Sequence, residues 1–205
     1  MENFFTLTII LSLFSFTMTT TLSPGPNNIL VLSSGLTYGY KKTIPHMLGV
    51  IIGFPLMVIL IGLGAGIVFE RFPFVLVALK YIGIVYLLWM AYKIATATNN
   101  YEVEEKQKSK PFTFIQSALF QWVNPKAWIM GITVISIYVN TQQESFYQIF
   151  TIAFMYFLTT LIGMNIWVGG GVFLKRFISN SHFVKNLNRV LAFTLILSIL
   201  PLLFN

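Results

Sequence analysis

The sequence predicts an all-α integral membrane protein of six transmembrane helices, arranged as two inverted three-helix repeats with helices 1 and 4 broken at proline motifs. Three observations carry that expectation. Hydrophobic residues make up 56% of the 205-residue chain against 9% charged, and the mean hydropathy is +0.78, far outside the range of soluble or disordered proteins. Two apolar stretches are interrupted by proline, at Ser23-Pro24-Gly25-Pro26-Asn27-Asn28 and at Asn124-Pro125-Lys126. The basic residues concentrate in alternate loops. At ~20 residues per span the chain holds about six spans with short loops. A single transporter-sized membrane domain over 1–205 is expected, with a first repeat at about 1–96, a cytoplasmic linker at 97–111 and a second repeat at about 112–205.

Helix 1 is expected from about Phe4 to Tyr38. Each proline removes a backbone donor and clashes with the preceding turn, and Gly25 between them is free to take positive φ, so the helix must break. Unbroken, it would be ~52 Å long, well over the ~30 Å hydrocarbon core. Met1 to Ser23 reads as retained rather than as a signal peptide, because Glu2 stands where a basic region belongs and no small-residue cleavage site precedes the break. A loop over Gly39–His46 carries Lys41 and Lys42. Helix 2, about Met47–Phe69, has Gly49, Gly53, Gly62, Gly64 and Gly66 at spacings that admit a close neighbour, from the same chain or from a second copy in a homodimer.

After a turn at Glu70–Pro73, helix 3 covers about Phe74–Ala95, with Lys80 inside it and Trp89 and Tyr92 where interfacial aromatics belong. Thr96–Pro111 is the longest polar stretch and the joint between halves. Helix 4, about Phe112–Val139, holds the second break. Helix 5, about Phe146–Leu174, holds Asn165 and Gly169-Gly170-Gly171. The segment Lys175–Arg189 reads as a basic loop, and helix 6 closes the chain at Phe204. Its uncharged run from Val190 is only ~22 Å long, so Lys185 and Arg189 must snorkel or the bilayer must thin.

Loops 1, 3 and 5 carry ten Lys/Arg, whereas the termini and loops 2 and 4 carry only Arg71. Basic loops stay cytoplasmic, which puts both termini outside. Three spans per half is an odd number, so the second half enters the membrane inverted. The same argument explains the +7 charge as orientation in a cell membrane rather than nucleic-acid binding. With no cysteine and only His46 and His182, both expected in loops, neither a metal site nor a thiol cofactor is expected. A membrane enzyme would need a nucleophile with a base, or a metal, inside the spans; Ser33-Ser34-Gly35 has no such partner in reach and reads as packing.

A helix broken at membrane depth frees N–H and C=O groups that protein or a water-filled cavity must satisfy. Two matching interruptions in two halves therefore point to a transporter site. The half-helix after each break offers a partial positive charge for a carboxylate, and the half-helix before it offers carbonyls for an ammonium. The expected substrate-binding set is Pro24, Gly25, Pro26, Asn27, Asn28, Asn124, Pro125 and Lys126, suited to an amino-acid zwitterion. Lys80 and Lys126 are ionisable groups inside spans and so candidates to carry a coupling proton. Asn165 is either a cavity group or interhelical glue, with glue the commoner case. All six acids, Glu2, Glu70, Glu102, Glu104, Glu105 and Glu144, fall outside the spans. Nothing there can neutralise a cationic side chain, so substrates should be neutral overall.

These residues resemble the LysE/RhtB family of bacterial amino-acid exporters over nearly the whole chain. The likeness rests on Ser23-Pro24-Gly25-Pro26-Asn27, the glycine-rich helix 2, Lys80-Tyr81-Ile82-Gly83 with Tyr86-Leu87, and Asn124-Pro125-Lys126. Pro26-Asn27-Asn28-Ile29-Leu30 with Leu32-Ser33-Ser34, and Trp89-Met90-Ala91-Tyr92-Lys93-Ile94-Ala95-Thr96, look most like the exporters of cysteine and O-acetylserine. That resemblance implies proton-driven efflux of small neutral amino acids across the bacterial inner membrane. Many family members carry an acidic residue in helix 2 near the position of Phe54; this chain does not, which weakens any carboxylate-based coupling. Export of threonine, homoserine or leucine, and a non-transport membrane scaffold, are the competing expectations.

Overall fold

The computed structural model describes residues 6–65, 71, 73–96, 111–139, 145–177 and 181–197, and every element in them is helical. Helix α1, Leu7–Leu22, opens where the Thr6 hydroxyl accepts the Ile9 N–H at 3.4 Å. It ends at Ser23, which turns extended (ψ 138°). Helix α2, Pro26–Tyr38, follows with proline at its first position, and the two helices are bent by 58°. Gly25 sits at φ −177°, an extended backbone open to any residue, so the expected use of glycine for positive φ is not what this position needs.

Positive φ is needed instead at Gly39 (79°), the single residue that joins α2 to helix α3, Tyr40–Leu60. The expected loop at Gly39–His46 is therefore corrected: Lys41, Lys42 and His46 are helical. Pro45 is taken inside the helix, and the Thr43 hydroxyl bonds the Gly39 carbonyl at 2.8 Å and the Ser34 hydroxyl at 3.0 Å, fastening the first turn. His46 is buried and stacked on Phe112 at 4.8 Å. Tertiary contacts of this kind outweigh the cost of an early proline. A π turn at Ile61–Ala65 ends the segment, with Gly64 at φ 106°.

Helix α4 spans Pro73–Thr96. Helix α5, Phe114–Val123, begins with a capping box, the Thr113 hydroxyl accepting the Gln116 N–H while the Gln116 side chain accepts the Thr113 N–H; the T-x-x-Q spacing announces it. One residue, Asn124, separates α5 from helix α6, Pro125–Tyr138. Helix α7 is Ser145–Phe177 and helix α8 is Ser181–Leu197. The start of α8 corrects the loop expected up to Arg189. Leu187, Leu191 and Leu195, with buried Asn188 and Ala192, form one face from before Val190, so an amphipathic helix begins where a search for uncharged residues sees none.

Among the described residues two helices are long and apolar enough to cross a membrane, Tyr40–Gly64 and Ser145–Lys175, and the bent α1–α2 pair passes as a third. The chain is a multi-pass membrane protein. Residues 97–110 of the expected linker, all six glutamates, residues beyond Leu197, and the side chains of Lys80, Lys93, Arg176, His182 and Lys185 lie outside the described residues.

Packing pairs the helices in a definite way. The α1–α2 pair lies along α7 and runs parallel to it: Thr20 meets Tyr156, Gly35 meets Val168, and Lys175 Nζ lies 3.5 Å from the Thr37 carbonyl. Helix α3 lies along α5 and α6, also in parallel, with Gly49 and Gly53 against Ser117 and Ala118 and Ile61 against Gly131. Helix α4 packs on α8 through Ile84, Leu87, Ala91, Ala192 and Leu195.

Candidate functional site

The two interruptions meet. At the first, α1 ends with carbonyls that have no helical partner. Asn28, buried on the first turn of α2, reaches back and donates its amide to the Thr21 and Ser23 carbonyls, both at 2.8 Å. Lys126, on the first turn of α6, crosses from the second interruption and donates its ammonium to the Ser23 carbonyl, with the Pro24 carbonyl at 3.4 Å. In the other direction, Asn27 and the fully buried Gln121 of α5 form a reciprocal amide pair at 2.8 and 3.3 Å. The first break is thus satisfied partly by a side chain of the second, and the two are joined by an amide pair beside them.

Gly25 makes this geometry feasible. A Cβ there would stand 2.5 Å from Lys126 Cδ and 3.1 Å from its Nζ, so the lysine stem lies across a bare Cα. Asn124, almost wholly buried, caps α6 by accepting the Lys126 N–H at 3.2 Å. Thr6 and Thr113 do the same for α1 and α5, whereas no side chain caps α2. The first turn of α2 thus presents backbone donors and the positive end of its dipole beside the Lys126 ammonium.

A cavity of about 30 Å³ opens at this junction. Its polar lining is Thr20, Thr21, Asn27, Asn28, Asn124, Thr160 and Lys126; its apolar lining includes Val50, Phe54, Met130 and Met164. No carboxylate occurs among the described residues. The volume accommodates about one or two waters.

Of the residues singled out in the sequence, Gly25, Asn27, Asn28, Asn124 and Lys126 line the cavity. Pro26 and Pro125 start the helices behind it, and Pro24 lends a carbonyl. Of the two alternatives for Asn165, the contacts are those of interhelical glue: it does not line this cavity, and its amide accepts from the Tyr40 hydroxyl of α3 and donates to the Leu161 carbonyl. The carbonyls expected to await an ammonium are already held by Lys126 and Asn28. Sequence reasoning missed Gln121, Thr20, Thr21 and Thr160. Their signal is a polar residue one turn from a break, or a threonine cluster inside an apolar run.

The LysE type translocator family model matches residues 18–204. Over 186 residues the chain is 33% identical to proteins named Cysteine/O-acetylserine efflux protein from Salmonella paratyphi A and Salmonella typhi, covering 89% of this chain and 91% of each relative. It is 31% identical over 192 residues to the protein of that name from Escherichia coli O157:H7, covering 92% and 94%. No solved structure is significantly similar to the chain.

Proposed function

The chain belongs to the LysE type translocator family, a family of transporters rather than enzymes, and from that premise we propose that it is a secondary exporter of small neutral amino acids or their derivatives, of the cysteine and O-acetylserine kind. The observation that carries this reading is the reciprocal bonding of the two breaks around a cavity that holds one ammonium and, among the described residues, no carboxylate. A zwitterion suits it. Its carboxylate goes to the uncapped first turn of α2 and to Lys126; its ammonium takes the Ser23 and Pro24 carbonyls that the lysine gives up. Lys126 acts as a tethered stand-in for the substrate's ammonium, and exchange of one for the other keeps every buried group paired. A cationic side chain would enter with no counter-charge among the described residues, which is costly in a largely buried site.

Six spans in two inverted repeats fit the packing. Exchanging span i for span i+3 turns the pairing of spans 1 and 5 (α1–α2 with α7) into that of spans 4 and 2 (α5–α6 with α3), and maps 3 with 6 (α4 with α8) onto itself. The pairing of spans 2 and 5 (α3 with α7) also maps onto itself, and these four are the principal pairings seen, with the repeats at about 1–96 and 112–205. The contact between Lys175 and Thr37 brings the C-terminal ends of α2 and α7 to one face, beside Lys41 and Lys42 at the start of α3, which supports a cytoplasmic basic side and external termini in a bacterial inner membrane. Alternating access follows if one broken pair rocks against the other, with proton antiport carried through Lys126 and Lys80 as candidates. Efflux from vesicles loaded with serine, cysteine, O-acetylserine, threonine, leucine or lysine tests the reading. The small neutral solutes should leave faster than from protein-free vesicles and lysine should not; lysine leaving fastest would defeat the charge argument.

A further inference from the structure

Threonines in these helices mostly spend their hydroxyls on the carbonyl one turn back. Thr17 bonds Phe14, Thr20 bonds Phe16, Thr151 bonds Tyr147 and Thr159 bonds Met155, at 2.8 to 3.1 Å. Thr21 and Thr160 do not. Both are buried, at 5% and 2% exposure, and both hydroxyl oxygens lack any hydrogen-bond partner. The nearest available acceptors go unused although an unpaired buried hydroxyl is costly. Both residues line the cavity beside Asn27, Asn28 and Lys126. The Thr21 methyl lies against the bare Cα of Gly163, one turn along α7 from Thr160, so the two threonines belong to one wall.

We propose that Thr21 and Thr160 form the side-chain subsite, pairing with the hydroxyl, thiol or ester oxygen of a small polar substrate. The assignment rests on the exporter reading above and gives it a selectivity determinant. The zwitterion is held at the breaks, and the remaining wall, with Val50, Phe54, Met130 and Met164, takes the carbon skeleton. A site built to bond a substrate's polar group discriminates against the analogue that lacks it, because its own groups are then left unpaired. Serine is therefore preferred to alanine, a solute of nearly the same size.

The test is the ratio of serine to alanine efflux in vesicles, which is independent of how much protein inserts. Valine matches threonine in shape and removes the hydroxyl. The ratio should fall at least about tenfold in Thr160→Val and fall also in Thr21→Val, while Thr160→Ser keeps it. In detergent, serine should raise the Tm of the wild-type protein and raise it less in Thr160→Val. An unchanged ratio in both valine variants, or equal losses of serine and alanine efflux, would overturn the subsite while leaving export intact. Wild-type protein that moves neither solute would overturn the exporter reading itself, and the subsite with it.

Discussion

Gly25 lacks a side chain at the spot where Lys126 Cδ would come within 2.5 Å of one. Alanine is compatible with φ −177°, so Gly25→Ala should insert and fold while pushing the lysine off the Ser23 and Pro24 carbonyls. Gly25 lines the cavity, and the added methyl occupies the place where the lysine and solute ammonium groups would exchange, so the initial rate of serine efflux should fall roughly tenfold or more; a wild-type rate would mean that the lysine contact is incidental. At this scale the sequence spoke clearly where a polar residue touches a proline in an apolar run, as with Asn27, Asn28, Asn124 and Lys126. It was silent for Gln121, Thr21 and Thr160, because a lone polar group inside a helix reads the same whether it glues helices or lines a cavity. Only its distant partner, or the absence of one, tells them apart.

Helix ends show the same division. Proline dictates where α2 and α6 start, and Thr113 with Gln116 dictates where α5 starts, since these are local rules of donor and acceptor. The starts of α3 and α8 were misjudged because both are decided by remote packing, of His46 on Phe112 and of Asn188, Ala192 and Leu195 within the bundle. Close approach of elements is testable without ambiguity in a chain that has no cysteine. A Cβ on Gly163 would stand 3.8 Å from Thr21 Cβ, within the ~3.5–4.5 Å of a disulfide. Gly163→Cys with Thr21→Cys should oxidise to an internal crosslink, seen as faster migration on a non-reducing gel and reversed by reductant. Two thiols that both stay free under oxidant would separate α1 from α7.

For the whole molecule, composition alone revealed a membrane protein, and the alternation of basic loops suggested its inversion. That the two halves clasp each other could not be read, because the Asn27–Gln121 and Lys126–Ser23 contacts join residues about a hundred positions apart and no local pattern encodes them. Lys126 and Asn27 of those contacts, with Asn28, line the cavity at the junction. The account therefore depends on the clasp being the place where solute binds. Serine efflux from vesicles carrying wild-type, Asn27→Ala or Lys126→Ala protein, each shown to be inserted and monodisperse in detergent, measures this most directly. Both variants should lose at least about tenfold in initial rate; export at the wild-type rate by either inserted variant would contradict it.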